Sequence, residues 1–290
     1  MDQAERLRSL VNRHKESQQE KRAEFRVIAV TSGKGGVGKT NLTVNLGIHL
    51  AKTGKRVVIV DTDFGLANVE VLLGISPKRT LHDVLSGDIG IKEAINQGPE
   101  GVMFLSGGSG LTDLADLGET QIALLIKGFK ELNDMTDILL IDTGAGMSKS
   151  VTNFLRASDE IIVVTTSDPT AIADAYAIIK IMTKNNDHFP RLKLVVNRVE
   201  NHKEGVDVYN RMYRVCDRFL DVKLLNLGMI PYDKYLMRAV KAQEAVSVTY
   251  PNSDSSRSIE VICKRLLNVE ASDVVGAKNF IERWFGFIKK

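Results

Sequence analysis

The octapeptide GKGGVGKT, Gly33 to Thr40, restricts what this chain folds into more than any other stretch, because it fits the spacing Gly, four residues, then Gly-Lys-Thr. Before it, Arg26 to Thr31 is apolar and β-branched enough for a buried strand. After it, Asn41 to Lys52 sets Leu42, Leu46 and Leu50 at helical spacing. A turn between strand and helix is where backbone N–H groups and a helix N-terminus gather around phosphate oxygens. Gly33, Gly35, Gly36 and Gly38 are expected to take positive φ and turn those N–H groups inward. Lys39 is then placed to neutralise β and γ oxygens and Thr40 to offer its hydroxyl to Mg2+, with Val37 and Asn41 completing the candidate nucleotide-binding turn.

Further strands are expected at Arg56 to Asp61, Gly101 to Leu105, Asp137 to Asp142, Glu160 to Thr166 and Leu192 to Asn197, with helical patterns at Glu119 to Leu132, Val206 to Phe219 and Ser256 to Val269 between and after them. The alternation predicts an α/β fold, a doubly wound, mostly parallel sheet flanked by helices on both faces. Carboxyl ends of parallel strands open onto the ligand crevice, which places Asp61, Asp63, Asp142 and Asn197 there. Asp61 and Asp63 suggest Mg2+ and an attacking water. Asp142 suits a metal approached through water, and Gly144 and Gly146 make a loop free to move when the γ-phosphate leaves. The Asn197 amide offers a donor and an acceptor, as an adenine edge requires. Plain caps and turns are the alternative reading of each of these residues. His82, with no second His or Cys near it, reads as structural or exposed.

Lys34 is an extra that the phosphate pattern does not need, and with it KGGVGKT at Lys34 to Thr40 resembles the deviant Walker A motif of the MinD/ParA ATPases. The resemblance covers residues 26 to 270 and implies a MinD-like ATPase with ATP and Mg2+ as cofactors. It also implies an ATP-dependent homodimer in which Lys34 reaches the partner's nucleotide, and so makes Lys34, Lys39 and Asp63 the catalytic set. Without the resemblance, Lys34 reads as a solvated lysine. DTDFGLANVEVLLG at Asp61 to Gly74 matches the family's first switch, with Asp63 positioning water and Asp61 organising the magnesium shell. Asp142 falls on the Walker B acid, residues 143 to 146 on the second switch, and Thr40, Asp61 and Asp142 on the metal site. In the same way Asn197, in VVNR, and the loop carrying Pro231 and Asp233 fall on the adenine site.

Composition bounds the alternatives. A 290-residue chain that is 43% hydrophobic buries a large core, and a formal charge of +3 is too small to demand nucleic acid, so no specific nucleic acid is expected. The two cysteines, Cys216 and Cys263, belong to no CxxC or Cys/His cluster, which removes a disulfide framework and leaves little room for an iron-sulfur carrier. With no secretory signal before residue 26 and no long apolar run, a cytosolic protein is expected. A DNA-segregation ATPase of the ParA type remains as the alternative function.

The two ends differ from the middle. Residues 1 to 25 carry one short apolar stripe and then mostly charge, and read as an exposed arm or a disordered leader. The string Asp2-Gln-Ala-Glu-Arg-Leu-Arg8 resembles the activator motif of the FlhG group of this family, ATPases that control flagellar number. That resemblance makes Asp2, Gln3, Arg6 and Leu7 a binding arm for the signal-recognition-particle-type GTPase FlhF, and admits flagellar switch (C-ring) proteins as partners. At the other end, residues 271 to 290 place Phe280, Ile281, Trp284, Phe285 and Ile288 on one face beside Lys278, Arg283, Lys289 and Lys290. An aromatic face with basic flanks suits a helix lying in an anionic membrane surface, which predicts reversible attachment at the inner face of the cell membrane, near poles or basal bodies. The same stripe also suits a helix docked on the protein's own surface.

Overall fold

The computed structural model describes residues 25–63, 68–108, 118–183 and 190–268, together with positions 280, 283, 284 and 286. Its strands are β1 (Arg26–Thr31), β2 (Val57–Asp61), β3 (Asn96–Gln97), β4 (Met103–Leu105), β5 (Ile138–Asp142), β6 (Glu160–Thr165), β7 (Arg191–Val199) and β8 (Leu225–Pro231). They form one sheet in the order β3-β4-β2-β5-β1-β6-β7-β8, parallel throughout except for the antiparallel pair β3–β4. The expected doubly wound sheet is therefore present. Strand β1 lies in the middle of the sheet, with later strands on both sides of it, so the topological switch lies beside β1, at the end of which the glycine-rich turn sits.

The period-two side-chain alternation divides the core. Val27, Ala29, Val58, Val60, Leu139 and Ile141 enter one apolar layer. Ile28, Val30, Val57, Ile59, Ile138 and Leu140 enter the other. Helices α1 (Lys39–Lys52), α2 (Asn68–Leu73), α10 (Val246–Thr249) and α11 (Asp254–Asn268) lie on the second face. Helices α3 (Leu81–Leu85), α4 (Ile91–Ala94), α5 (Glu119–Leu132), α6 (Lys149–Ala157), α7 (Pro169–Met182) and α8 (His202–Leu220) cover the first. Helix α9 (Lys234–Lys241) joins β8 to α10.

Phe25, expected in the arm, is buried in the first layer. Two residues of the tail also belong to that layer. Phe280 and Trp284, expected to face a membrane, are 0% and 1% exposed. Phe280 meets Phe129 of α5 edge-on at 5.9 Å, and Trp284 stacks on Phe154 of α6 at 4.6 Å. An aromatic stripe is indifferent to whether protein or lipid takes it out of water, and here two helices supply the apolar surface. Ile281, Phe285 and Ile288 lie outside the described residues, as do Asp2, Gln3, Arg6 and Leu7. Among the described residues, no helix is long and apolar enough to cross a membrane.

Candidate nucleotide-binding site

The turn between β1 and α1 has the geometry of a phosphate cradle, though its glycines serve different ends. Only Gly36 and Gly38 of the four take positive φ, at 77° and 98°. Gly33 is needed for space, since a Cβ there would lie 2.4 Å from Asp174, and a Cβ on Gly38 would lie 2.3 Å from the Asn197 amide. Helix α1 begins at Lys39 with no side-chain cap, which leaves its first N–H groups for a ligand.

Three carboxylates face this turn. Asp61 and Asp142 end adjacent strands and stand opposite each other in register. Asp142 accepts hydrogen bonds from the Thr40 hydroxyl at 2.7 Å and the Thr43 hydroxyl at 2.9 Å, so helix α1 presents both threonines to the strand end. Asp61 accepts from the backbone N–H of Asp63 and of Val69, each at 3.0 Å, and so closes the segment leading into α2. The Asp63 carboxylate accepts from the Asn68 amide at 3.2 Å and lies about 4 Å from where a Gly144 side chain would be.

Burial sets the electrostatics. It pushes the Asp61 carboxyl up to about 7, with neighbouring Asp142 adding to the shift. Burial likewise raises Asp142 to about 6, against the pull of the Thr40 and Thr43 hydroxyls and of Lys39. Burial lowers the Lys39 ammonium, opposed first by Asp142 and then by Asp63 and Asp61. Three acids around one lysine make a site short of positive charge, lined by hard oxygen donors, and these residues fit Mg2+. Among the described residues no group of three or more His, Cys, Asp or Glu side chains is disposed to hold a metal.

The loop after β5 is tied back to the cradle. Thr143 donates from N–H and hydroxyl to the Val30 carbonyl at 3.2 and 3.0 Å, and the Gly146 N–H donates to the Ser32 carbonyl at 3.1 Å. Two residues on, Ser148 caps α6 by accepting from the Val151 N–H.

Beside the cradle, a recess of about 100 Å3 is walled by Gly38, Asn41, Asn197, Pro231, Asp233 and Leu236, among others. This brings the expected adenine residues together. The Asn197 amide is partly engaged within the protein, donating to the Val37 carbonyl at 2.7 Å and accepting from the Arg198 N–H at 2.9 Å. Asp233 caps α9 through the Tyr235 N–H and receives both the N–H and the hydroxyl of Ser255, which gives it a structural task at the recess wall.

Lys34 stands outside the cradle. Its ammonium bonds the Asp168 carboxylate at 2.9 Å and the Thr170 hydroxyl at 2.8 Å, both in its own chain. Asp168 also caps α7, and the Lys34 hydrogen bond is the main cause holding its carboxyl down near 2. The ion pair joins residues 134 apart in sequence and so leaves no local signal. Thr43 and Asn68 were also missed. Thr43 lies one helical turn after Thr40, a spacing that would have placed both on one face.

Comparison with known proteins agrees with this geometry. A family model described as the CobQ/CobB/MinD/ParA nucleotide binding domain matches residues 28–246. The antiactivator FleN of Pseudomonas aeruginosa is 43% identical over 241 residues, 83% of this chain and 85% of that protein. The flagellum site-determining protein YlxH of Helicobacter pylori is 33% identical over 99% of both chains. Among solved structures, the cell division ATPase MinD of Pyrococcus furiosus superposes with a TM-score of 0.69 at 26% identity, covering 84% of this chain and 99% of that one. The MinD of Pyrococcus horikoshii, complexed with Mg-ADP, gives 0.67 at 26% identity over 86% and 100%. With its phosphate cradle, its paired strand-end acids and a family match over most of its length, the chain belongs to the CobQ/CobB/MinD/ParA nucleotide-binding family as an FlhG-like ATPase that works with ATP and Mg2+.

Proposed function

We propose that this ATPase is a dimerising switch that regulates flagellar number or placement: monomeric with its tail stowed, dimeric and attached to an anionic membrane when loaded with ATP. The observation that carries the switch is the stacking of Trp284 on Phe154, because Phe154 belongs to the helix that follows loop 143–146. A shift of that loop acts directly on the tail's seat. The flagellar assignment rests on the similarity to FleN and YlxH.

In this reading Lys39, the N–H groups of Gly33 to Thr40 and the start of α1 hold the phosphates, while Asn197, Pro231 and Asp233 border the base. Thr40 and Asp142 hold Mg2+, with Asp61 fixing the loop around it; the ion, when bound, supplies positive charge to the phosphate oxygens. Asp63 orients the attacking water. Lys34 leaves Asp168 and Thr170 to reach the partner's nucleotide, so dimer formation exchanges one surface ion pair for a contact with phosphate. Hydrolysis removes that contact and lets the tail return. The catalytic work is positioning and electrostatics. The arm bearing Asp2, Gln3, Arg6 and Leu7 binds the GTPase FlhF and stimulates it, with flagellar switch proteins as further partners.

Sedimentation velocity with ATP or ADP tests the switch. The wild type is expected to dimerise in ATP alone, Asp63→Ala to bind ATP and remain dimeric, and Lys39→Gln to bind no nucleotide and stay monomeric. A monomeric Asp63→Ala with bound ATP removes the scheme.

A further inference from the structure

We propose that Arg198 is a positioning residue for the nucleotide base, its guanidinium lying against a face of the purine held in the recess beside the phosphate cradle; this rests on the reading of that recess as the base site. Arg198 has φ +57° and sits inside β7, one residue after Asn197. Among the described residues, the other non-glycine residues with positive φ are Glu100 in a single 3-10 turn, Asp221 capping α8, and Gln243 just beyond α9. Helix ends and turns commonly take that conformation. A strand interior does not, and at Arg198 the pairing of β7 with β8 slips, with a register shift between Asn197 and Val199.

The irregularity is pinned from both sides. The Arg198 N–H donates to the Asn197 side chain at 2.9 Å, the Asn197 amide donates to the Val37 carbonyl at 2.7 Å, and the Val199 carbonyl accepts from the Tyr232 N–H at 2.9 Å. Such a bulge re-aims the side chain it carries. Glycine would take this backbone conformation without steric cost, so the turn does not account for an arginine there and its side chain must.

That side chain is exposed and lines the recess. It makes no hydrogen bond or ion pair among the described residues, unlike the other cations nearby. Lys234 and Arg238 lie over the Tyr235 ring at 5.4 and 5.6 Å, and Lys39 is buried among carboxylates. The recess offers Pro231, Leu236, Met237 and Val240 as apolar wall, and Asn197 as polar edge. A free planar cation at the rim of such a slot is suited to stack on a heteroaromatic ring, which also shields that ring from water.

The test is titration calorimetry on the full chain with Mg-ATP and, separately, with Mg-tripolyphosphate, which has the phosphates but no base. Arg198→Gly keeps the backbone conformation and removes the side chain. It is expected to bind ATP about 5- to 30-fold more weakly while tripolyphosphate binding stays within about 2-fold of wild type. Its melting temperature without nucleotide is expected to hold or rise, since the strained conformation is relieved. Arg198→Lys keeps charge without the planar fork and falls between the two. If Arg198→Gly weakens ATP and tripolyphosphate equally, or leaves ATP unchanged, the assignment is overturned. If the wild type binds ATP no tighter than tripolyphosphate, the recess is not a base site and the reading beneath the proposal fails with it. Lys39→Gln, losing both ligands, shows that the tripolyphosphate signal comes from the cradle.

Discussion

Asp61 and Asp142 stand side by side at the ends of two neighbouring strands, each 1% exposed, and that placement has a consequence for stability. Their carboxyls are raised to about 7 and about 6, above the ordinary 3.8. The native state therefore holds protons that the unfolded chain has already lost. The contribution of these two acids to nucleotide-free stability is fully present below about pH 4 and is lost as pH rises through about 6 for Asp142 and about 7 for Asp61. Asp142→Asn keeps partners for the Thr40 and Thr43 hydroxyls and removes the buried charge. It should stabilise the nucleotide-free protein at pH 8 by up to about 2–3 kcal/mol and flatten its pH profile, as measured by urea unfolding at several pH values, while abolishing Mg-ATP hydrolysis. An unchanged profile would place the titration elsewhere. These acids were legible in the sequence because strand ends point to the crevice. The partners that tune them were less so: Thr43 is marked only by its helical offset from Thr40, and Asn68, at the start of α2, donates to Asp63.

Among the elements, α6 and the tail it seats matter most. Ser148 caps the helix, and Val151, Phe154 and Leu155 face the core, so the helix is fixed at both ends of a short lever between loop 143–146 and Trp284. Phe154→Leu retains most of the apolar volume but removes the stacked ring, and should cost about 1 kcal/mol of tail docking. The expected outcome is liposome binding that no longer depends on ATP, seen as co-sedimentation in ADP where the wild type stays in solution. Loss of lipid binding in both nucleotides would mean that Phe154 serves the membrane-bound form. The sequence left α6 unassigned and placed Pro231 in a loop where the structure has the end of a strand, and β8 shows why. Its Asn226, Gly228 and Pro231 argue against a strand, yet β8 is an edge strand where proline is tolerated. Gly228 is there because α11 packs close, a Cβ lying 2.7 Å from Ile262. A requirement set by a helix more than thirty residues further along the chain leaves no local trace.

For the whole molecule, the proposed membrane attachment is a competition between the protein's own apolar surface and lipid for the same aromatic side chains. Removing an aromatic side chain such as Phe280 or Trp284 from water is worth about 1.5–3 kcal/mol whether the α5–α6 groove or lipid receives it, so one tail gains little by transferring. Two tails on one dimer change the balance, because the second inserts at the high local concentration fixed by the first. Attachment to vesicles containing anionic lipid should therefore rise more steeply than linearly with protein concentration in ATP, and stay weak and linear in ADP. Raising salt should weaken it, since Lys278, Arg283, Lys289 and Lys290 contribute about 1 kcal/mol each only near an anionic surface. A truncation ending at Gly276 should dimerise in ATP and yet remain in the supernatant. If that truncation still sediments with lipid, the contact lies elsewhere on the dimer and the tail is a structural strut. If no form binds lipid but the ATP dimer retains nonspecific DNA, a segregation ATPase replaces the membrane switch, and the stacking of Trp284 on Phe154 is packing alone.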